Sequence, residues 1–131
     1  MEVIVRFLKR QTKLVLALAE NNIPHLRVLP VMRFADKVFY FAISAQDKIY
    51  DQLRNNPKVE VLGIEGNTSI IIKGTAGFTI PDTIKKEIFN GTPMLQRLHQ
   101  NIEELQFFMV SIENVDYYDL NTIPPTLLSI I

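Results

Sequence analysis

Ser44, Asp47 and Lys48 stand in the pattern Ser-x-x-Asp-Lys, directly after the apolar, β-rich run from Val38 to Ile43 and at the head of a helical segment. Ser-x-x-Asp at a helix start reads as a capping box, in which each side chain covers an orphan backbone N–H of the first turn. That turn also presents free N–H groups and a partial positive charge, while Ser44 adds a hydroxyl and Lys48 a full positive charge. Together these groups can hold an anion, and a phosphate in particular. Asp47 sits in the same turn, where like charges repel. It either caps Ser44 and points away, or it weakens the hold on the phosphate.

Composition leaves room for little other chemistry. The chain has no cysteine, which excludes disulfides, thiolate metal sites, Fe–S clusters and a cysteine nucleophile. Neither His25 nor His99 stands at ligand spacing to Glu103, Glu104 or Asp116, so no metal is expected. Fourteen basic residues balance fourteen acidic ones. No overall field therefore recruits nucleic acid or an anionic membrane, and a phosphate site has to be local. With 47% hydrophobic and 21% charged residues, 131 residues suffice for one domain, 1–131, with a real core. The opening MEVIVRFL is interrupted by Glu2 and Arg6 and does not read as a signal peptide. No apolar run approaches the roughly 20 residues that span a bilayer, so a soluble, cytoplasmic protein is expected.

The elements that would position Ser44 and Lys48 follow from periodicity and turn chemistry. Val3, Ile4, Phe7 and Leu8 share one face of a short helix, with Arg6, Lys9 and Arg10 toward its end. Lys13 to Ala19 and His25 to Phe34 read as two strands around Glu20-Asn21-Asn22, a hairpin. Pro30 inside the second strand argues for an edge, a bulge or backbone turned toward a ligand. After the Ala35-Asp36-Lys37 turn comes the strand Val38 to Ile43, then a helix with Ile49 and Leu53 on its buried face, stopped at Asn56-Pro57. Strands from Lys58 to Ile64 and from Thr68 to Phe78 meet at Glu65-Gly66-Asn67. Asp82 starts a helix closed by Asn90-Gly91, and Pro93 starts another. Leu105 to Ile112 and Val115 to Leu120 read as one strand or as two. The tail IPPTLLSII resists assignment; its apolar end is expected to dock on this subunit or on a partner. Six or seven mostly hairpin-connected strands with short inserted helices predict a mainly β fold, an antiparallel barrel rather than alternating βαβ.

The order of these segments resembles the pyridoxamine 5′-phosphate oxidase-like flavoproteins, the FMN-binding split barrels. The resemblance runs from Glu2 to about Leu120 and is carried by KLVLALA, PHLRVLPV, KVFYFAIS, DKIYDQLRNNPKVEV, IIIKGTAGF and FFMVSIENVDYYDL. It implies an antiparallel split β-barrel with FMN as cofactor; FAD, haem and a deazaflavin stay open as alternatives. By the same resemblance Ser44 and Lys48 contact the flavin phosphate. The flavin ring runs along the second and third strands, beside Arg27, Val28, Leu29, Pro30 and Ile43. The family also implies a two-fold homodimer with flavin sites in the interface, and the apolar C-terminus suits such an interface. A C-terminal segment with Trp and Arg, which true pyridoxamine phosphate oxidases use to bind substrate, has no counterpart in these residues. Literal vitamin B6 oxidase activity is not expected.

Three functions follow from this reading. The first is an FMN-dependent oxidoreductase acting on a small molecule, with no acid–base residue assigned, since the cofactor carries the chemistry. The second is a non-catalytic barrel that binds a flavin or another anionic ligand, for which Asp47 and Ile71, in place of a basic residue, are the evidence. The third, a nucleic-acid-binding barrel, is disfavoured by zero net charge and the lack of a basic-aromatic cluster.

Overall fold

A computed structural model describes residues 2–11 and 13–130, with side chains at 5–11 and 13–125. Helix α1 (Glu2–Arg10) leads into strands β1 (Lys13–Glu20), β2 (Ile23–Pro30), β3 (Arg33–Ala35) and β4 (Val38–Ser44). After α2 (Ile49–Asn55) come β5 (Lys58–Glu65) and β6 (Thr68–Gly77). Helices α3 (Asp82–Gly91) and α4 (Pro93–Leu98) and a short 3-10 turn, Ile102–Glu104, precede the long β7 (Leu105–Asp119) and β8 (Thr126–Ile130). No helix of the described residues is long and apolar enough to cross a membrane.

All pairings are antiparallel, in the order β2-β1-β5-β6-β7-β4-β3. The two outer strands of this path, β2 and β3, are separated in the chain only by Val31 and Met32. Three residue steps reach at most about 11 Å. Laid flat, the path would put these strands roughly 29 Å apart, at about 4.8 Å per strand. The sheet must therefore curl until its edges meet, which makes it a split barrel. The expected second strand, His25 to Phe34, is in fact the two strands β2 and β3. Pro30, which lacks an N–H to donate, sits where the chain leaves one edge for the other.

Two-residue turns set the hairpins. Asn21-Asn22 and Asp36-Lys37 have positive φ at both positions, the conformation that matches strand twist. In the β5–β6 turn Gly66 alone has positive φ, at 59°. Alternation then fixes the inward residues: Leu14, Leu16 and Leu18 on β1, Phe39, Phe41 and Ile43 on β4, Val59 and Val61 on β5, Ile70 and Ile72 on β6. The alternation along β7 changes phase at a bulge opposite Lys73 and Gly74, where Glu113 is the extra residue. Phe108 and Val110 face inward before the bulge and Val115 after it, which explains why the sequence reads as one strand or two. A Cβ on Gly74 would collide with the Ser111 carbonyl oxygen and lie 2.8 Å from Val110 Cγ1, so glycine lets β6 bend there. Beyond the bulge, β7 pairs with β8, so the apolar tail docks on this chain as a strand.

Helices cover the barrel unevenly. Phe7 and Leu8 of α1 join the core near Leu14; Val3 and Ile4 of the expected stripe lie outside the described side chains. Arg10 pins α1 to the end of β5 through two 2.9 Å hydrogen bonds to Glu65. This pairing raises the Arg10 pKa and lowers that of Glu65. At the opposite end of β1, α2 inserts Ile49 and Leu53 into the core, and Asn56 Nδ2 donates to the Ala19 carbonyl at 2.9 Å. The outer face of β4 and β7 is buried under α3 and α4 by a second cluster that includes Ala42, Phe107, Ile88 and Leu95. This double burial explains the unbroken apolar run of KVFYFAIS. On the outer face of β2, β1, β5 and β6, register aligns Val28, Val15, Leu62 and Ile71 in one row. Beside them Leu26 is 67% and Val28 63% exposed.

Candidate functional site

The loop between β4 and α2 is built differently from a capping box. The turn closes through Asp47 N–H to the Ser44 carbonyl at 2.9 Å, and Gln46 N–H donates to Ser44 Oγ at 3.3 Å. Helix α2 begins only at Ile49, whose N–H donates to Asp47 Oδ1 at 3.0 Å. Thus Asp47, not Ser44, serves the helix start, as an Asx turn two residues ahead of its donor. The register explains this: Ser44 is still the last residue of β4, paired with Leu105, and Ala45 N–H donates to the Glu104 carbonyl at 2.9 Å. Sheet pairing holds Ser44 extended, which leaves four residues, Ala45 to Lys48, to turn the corner.

Arg27 reaches this loop from the other edge of the sheet. Its partner on β1 is Leu16, which is fully buried, so Arg27 lies on the inward face of the β1–β2 hairpin. From there Nη2 donates to Asp47 Oδ1 at 3.0 Å. The contact crosses the split, joining edge strand β2 to the loop after β4. The structure thereby brings Arg27 together with the Ser44–Lys48 loop, which are separated by about twenty residues in sequence. Lys48 is exposed, and no side-chain hydrogen bond or ion pair fixes its ammonium among the described residues.

The remaining candidates divide by face. Leu29 and Ile43 are each 6% exposed and belong to the core, so only their backbone could meet a ligand. Val28 projects from the opposite face to Arg27, into the exposed outer row. Pro30 is half-buried at the end of β2. Because β2 pairs on one side only, with β1, the backbone C=O groups of alternate residues face the split, with N–H groups beside them except at Pro24 and Pro30.

Two features escaped the sequence reading. One is the Arg27–Asp47 pair, which no local spacing announces. The other is a cleft of about 340 Å³ beside the same loop, floored by Leu105 and Phe107. Lys85 and Lys86 line it together with Asp82 and Glu103, so its charges balance.

Residues 1–119 match a family model described as pyridoxamine 5′-phosphate oxidase. No curated protein matches the chain significantly. Among solved structures, general stress protein 26 from Bacillus anthracis is similar, with a TM-score of 0.77 at 24% identity, over 97% of this chain and 95% of that one. A protein related to general stress protein 26, of the pyridoxinephosphate oxidase family, from Clostridium acetobutylicum gives 0.78 at 13% identity, over 97% and 92%. A pyridoxamine 5′-phosphate oxidase-related, FMN-binding protein from Nostoc punctiforme gives 0.70 at 16% identity, over 98% and 87%. At these identities the structural likeness is one of fold.

Proposed function

Because this chain belongs to the pyridoxamine 5′-phosphate oxidase family, we propose that it binds a flavin, FMN in the first instance, and works as an oxidoreductase on a small molecule. The observation that carries the reading is the convergence of Arg27 with the Ser44–Lys48 loop across the split. The donor set fits a phosphate monoester. A guanidinium with four further N–H groups, a serine hydroxyl and an ammonium without a partner among the described residues can share three phosphate oxygens. The FMN-binding protein from Nostoc punctiforme, of the same fold, supports this choice.

In this proposal Arg27, Ser44 and Lys48 hold the phosphate at the mouth of the split. The free edge of β2 supplies backbone donors and acceptors to the rim of the ring system, and Leu29 and Ile43 keep that backbone rigid by packing behind it. When bound, FMN supplies the redox chemistry, passing reducing equivalents from a nicotinamide-type donor to a small electrophile. The chain's own work is to position the cofactor and to keep water from one side of it.

The test is a visible absorption spectrum of the purified protein, loaded with FMN and passed through gel filtration. Retained flavin absorbance is expected, and a colourless protein after loading would reject the reading. A second reading, a binding module without turnover, is favoured by Asp47, which already occupies Arg27. It predicts retained flavin but no nicotinamide-dependent reduction.

A homodimer is part of the same proposal. The row Val28, Val15, Leu62 and Ile71, with Leu26 beside it, is an apolar strip that no described element of this chain covers. Its mate is a second copy related by a two-fold axis. Leu26→Glu is expected to shift the protein from dimer to monomer on size exclusion with light scattering. An unchanged dimer would place the contact elsewhere.

A further inference from the structure

We infer that Asp47 is a built-in stand-in for the ligand's anion: its carboxylate holds Arg27 in the ligand-free protein, and an incoming phosphate ester must take Arg27 from it. The inference rests on the flavin reading above. Asp47 Oδ1 alone accepts both the Arg27 Nη2–H and the Ile49 backbone N–H, each at 3.0 Å. One oxygen fixed between a guanidinium and a main-chain amide is how proteins also hold a phosphate oxygen. Asp47 therefore reproduces inside the chain the bonding expected of the ligand.

Two consequences follow from charge and exposure. Arg27 and Asp47 are 45% and 27% exposed, and partly exposed pairs of this kind are held only a few-fold over their separated state. The exchange is therefore easy. Once Arg27 turns to the phosphate, however, the Asp47 carboxylate remains close to a group carrying about −1.5 to −2 charge. Arg27, Lys48 and Asp47 together carry a net charge of +1; without the carboxylate the same loop would carry +2. Asp47 thus lowers affinity for phosphorylated ligands and leaves phosphate-free ones untouched. This sets the loop to release FMN more readily than its cations alone would allow.

The experiment measures dissociation constants for FMN and for riboflavin, which lacks the phosphate, by quenching of flavin fluorescence. The proteins compared are the wild type, Asp47→Asn, Arg27→Gln and the double variant. Asparagine keeps an oxygen for the Ile49 N–H, so the loop is retained; a thermal melt checks that it is. Asp47→Asn is expected to tighten FMN about tenfold and to leave riboflavin within about twofold. In the Arg27→Gln background the gain should shrink, because no guanidinium remains to be released. Unchanged or weaker FMN binding by Asp47→Asn would overturn the inference and make Asp47 a residue that aims Arg27. If FMN binds the wild type without that gain, only the stand-in role falls. If no variant binds either flavin, the flavin reading falls, and this inference with it.

Discussion

Arg27→Gln is expected to weaken FMN binding roughly ten- to hundredfold while leaving the melting temperature nearly unchanged. The size follows from the loss of charge-assisted hydrogen bonds to a phosphate, each worth about 1.5–3 kcal/mol. Stability is spared because the bond that the folded chain loses is the partly exposed pair with Asp47, a class worth about 0.2–1 kcal/mol. Titrations of both proteins with FMN, read beside their thermal melts, separate the two effects. A loss of affinity that came with a large drop in melting temperature would mean that Arg27 braces the split instead of binding across it. An unchanged affinity would remove Arg27 from the site, and with it the observation on which the proposed function rests.

The largest effect on folding is expected at Phe41. Its ring is fully buried, stacks on Phe108 with centroids 5.1 Å apart, and lies 6.4 Å from Phe39. Phe39 in turn stacks on Phe34 at 4.4 Å, so a file of aromatic rings runs through the interior from β3 to β7. Phe41→Ala should cost about 3–5 kcal/mol, the sum of lost transfer energy and an uncollapsed cavity. Urea denaturation followed by circular dichroism measures it. The same strand ends in Ser44, so the variant should also bind FMN less tightly at temperatures where it remains folded. A cost under about 1 kcal/mol would mean that the interior refills, which close packing around a ring held between Phe39 and Phe108 does not allow.

The elements were legible in the sequence because each is specified locally. The runs KLVLALA and KVFYFAIS, the Asn21-Asn22, Asp36-Lys37 and Gly66-Asn67 turns and the Asn56-Pro57 stop all appear in the structure at or within a residue or two of the expected places. Two local readings failed where longer-range contacts intervened. The strand expected through Pro30 divides into β2 and β3, since the closing barrel sends the chain from one edge to the other at Val31-Met32. The Ser44–Asp47 capping box does not form, since pairing with Leu105 keeps Ser44 in the sheet and delays α2 to Ile49. Local propensity loses to a hydrogen-bonded ladder in both places.

The sequence by itself determined most of the strands, the family resemblance, and which residues are candidates to hold an anion. It did so because apolar alternation, turn chemistry and charge are properties of neighbours along the chain. Only the tertiary structure decided that Arg27 meets Asp47, that Leu29 and Ile43 face the core, and that Val28 joins an exposed row with Val15, Leu62 and Ile71. Those outcomes depend on register and on the closing of the sheet. A shift of one residue in either would turn Arg27 to the outer face and Val28 to the inner.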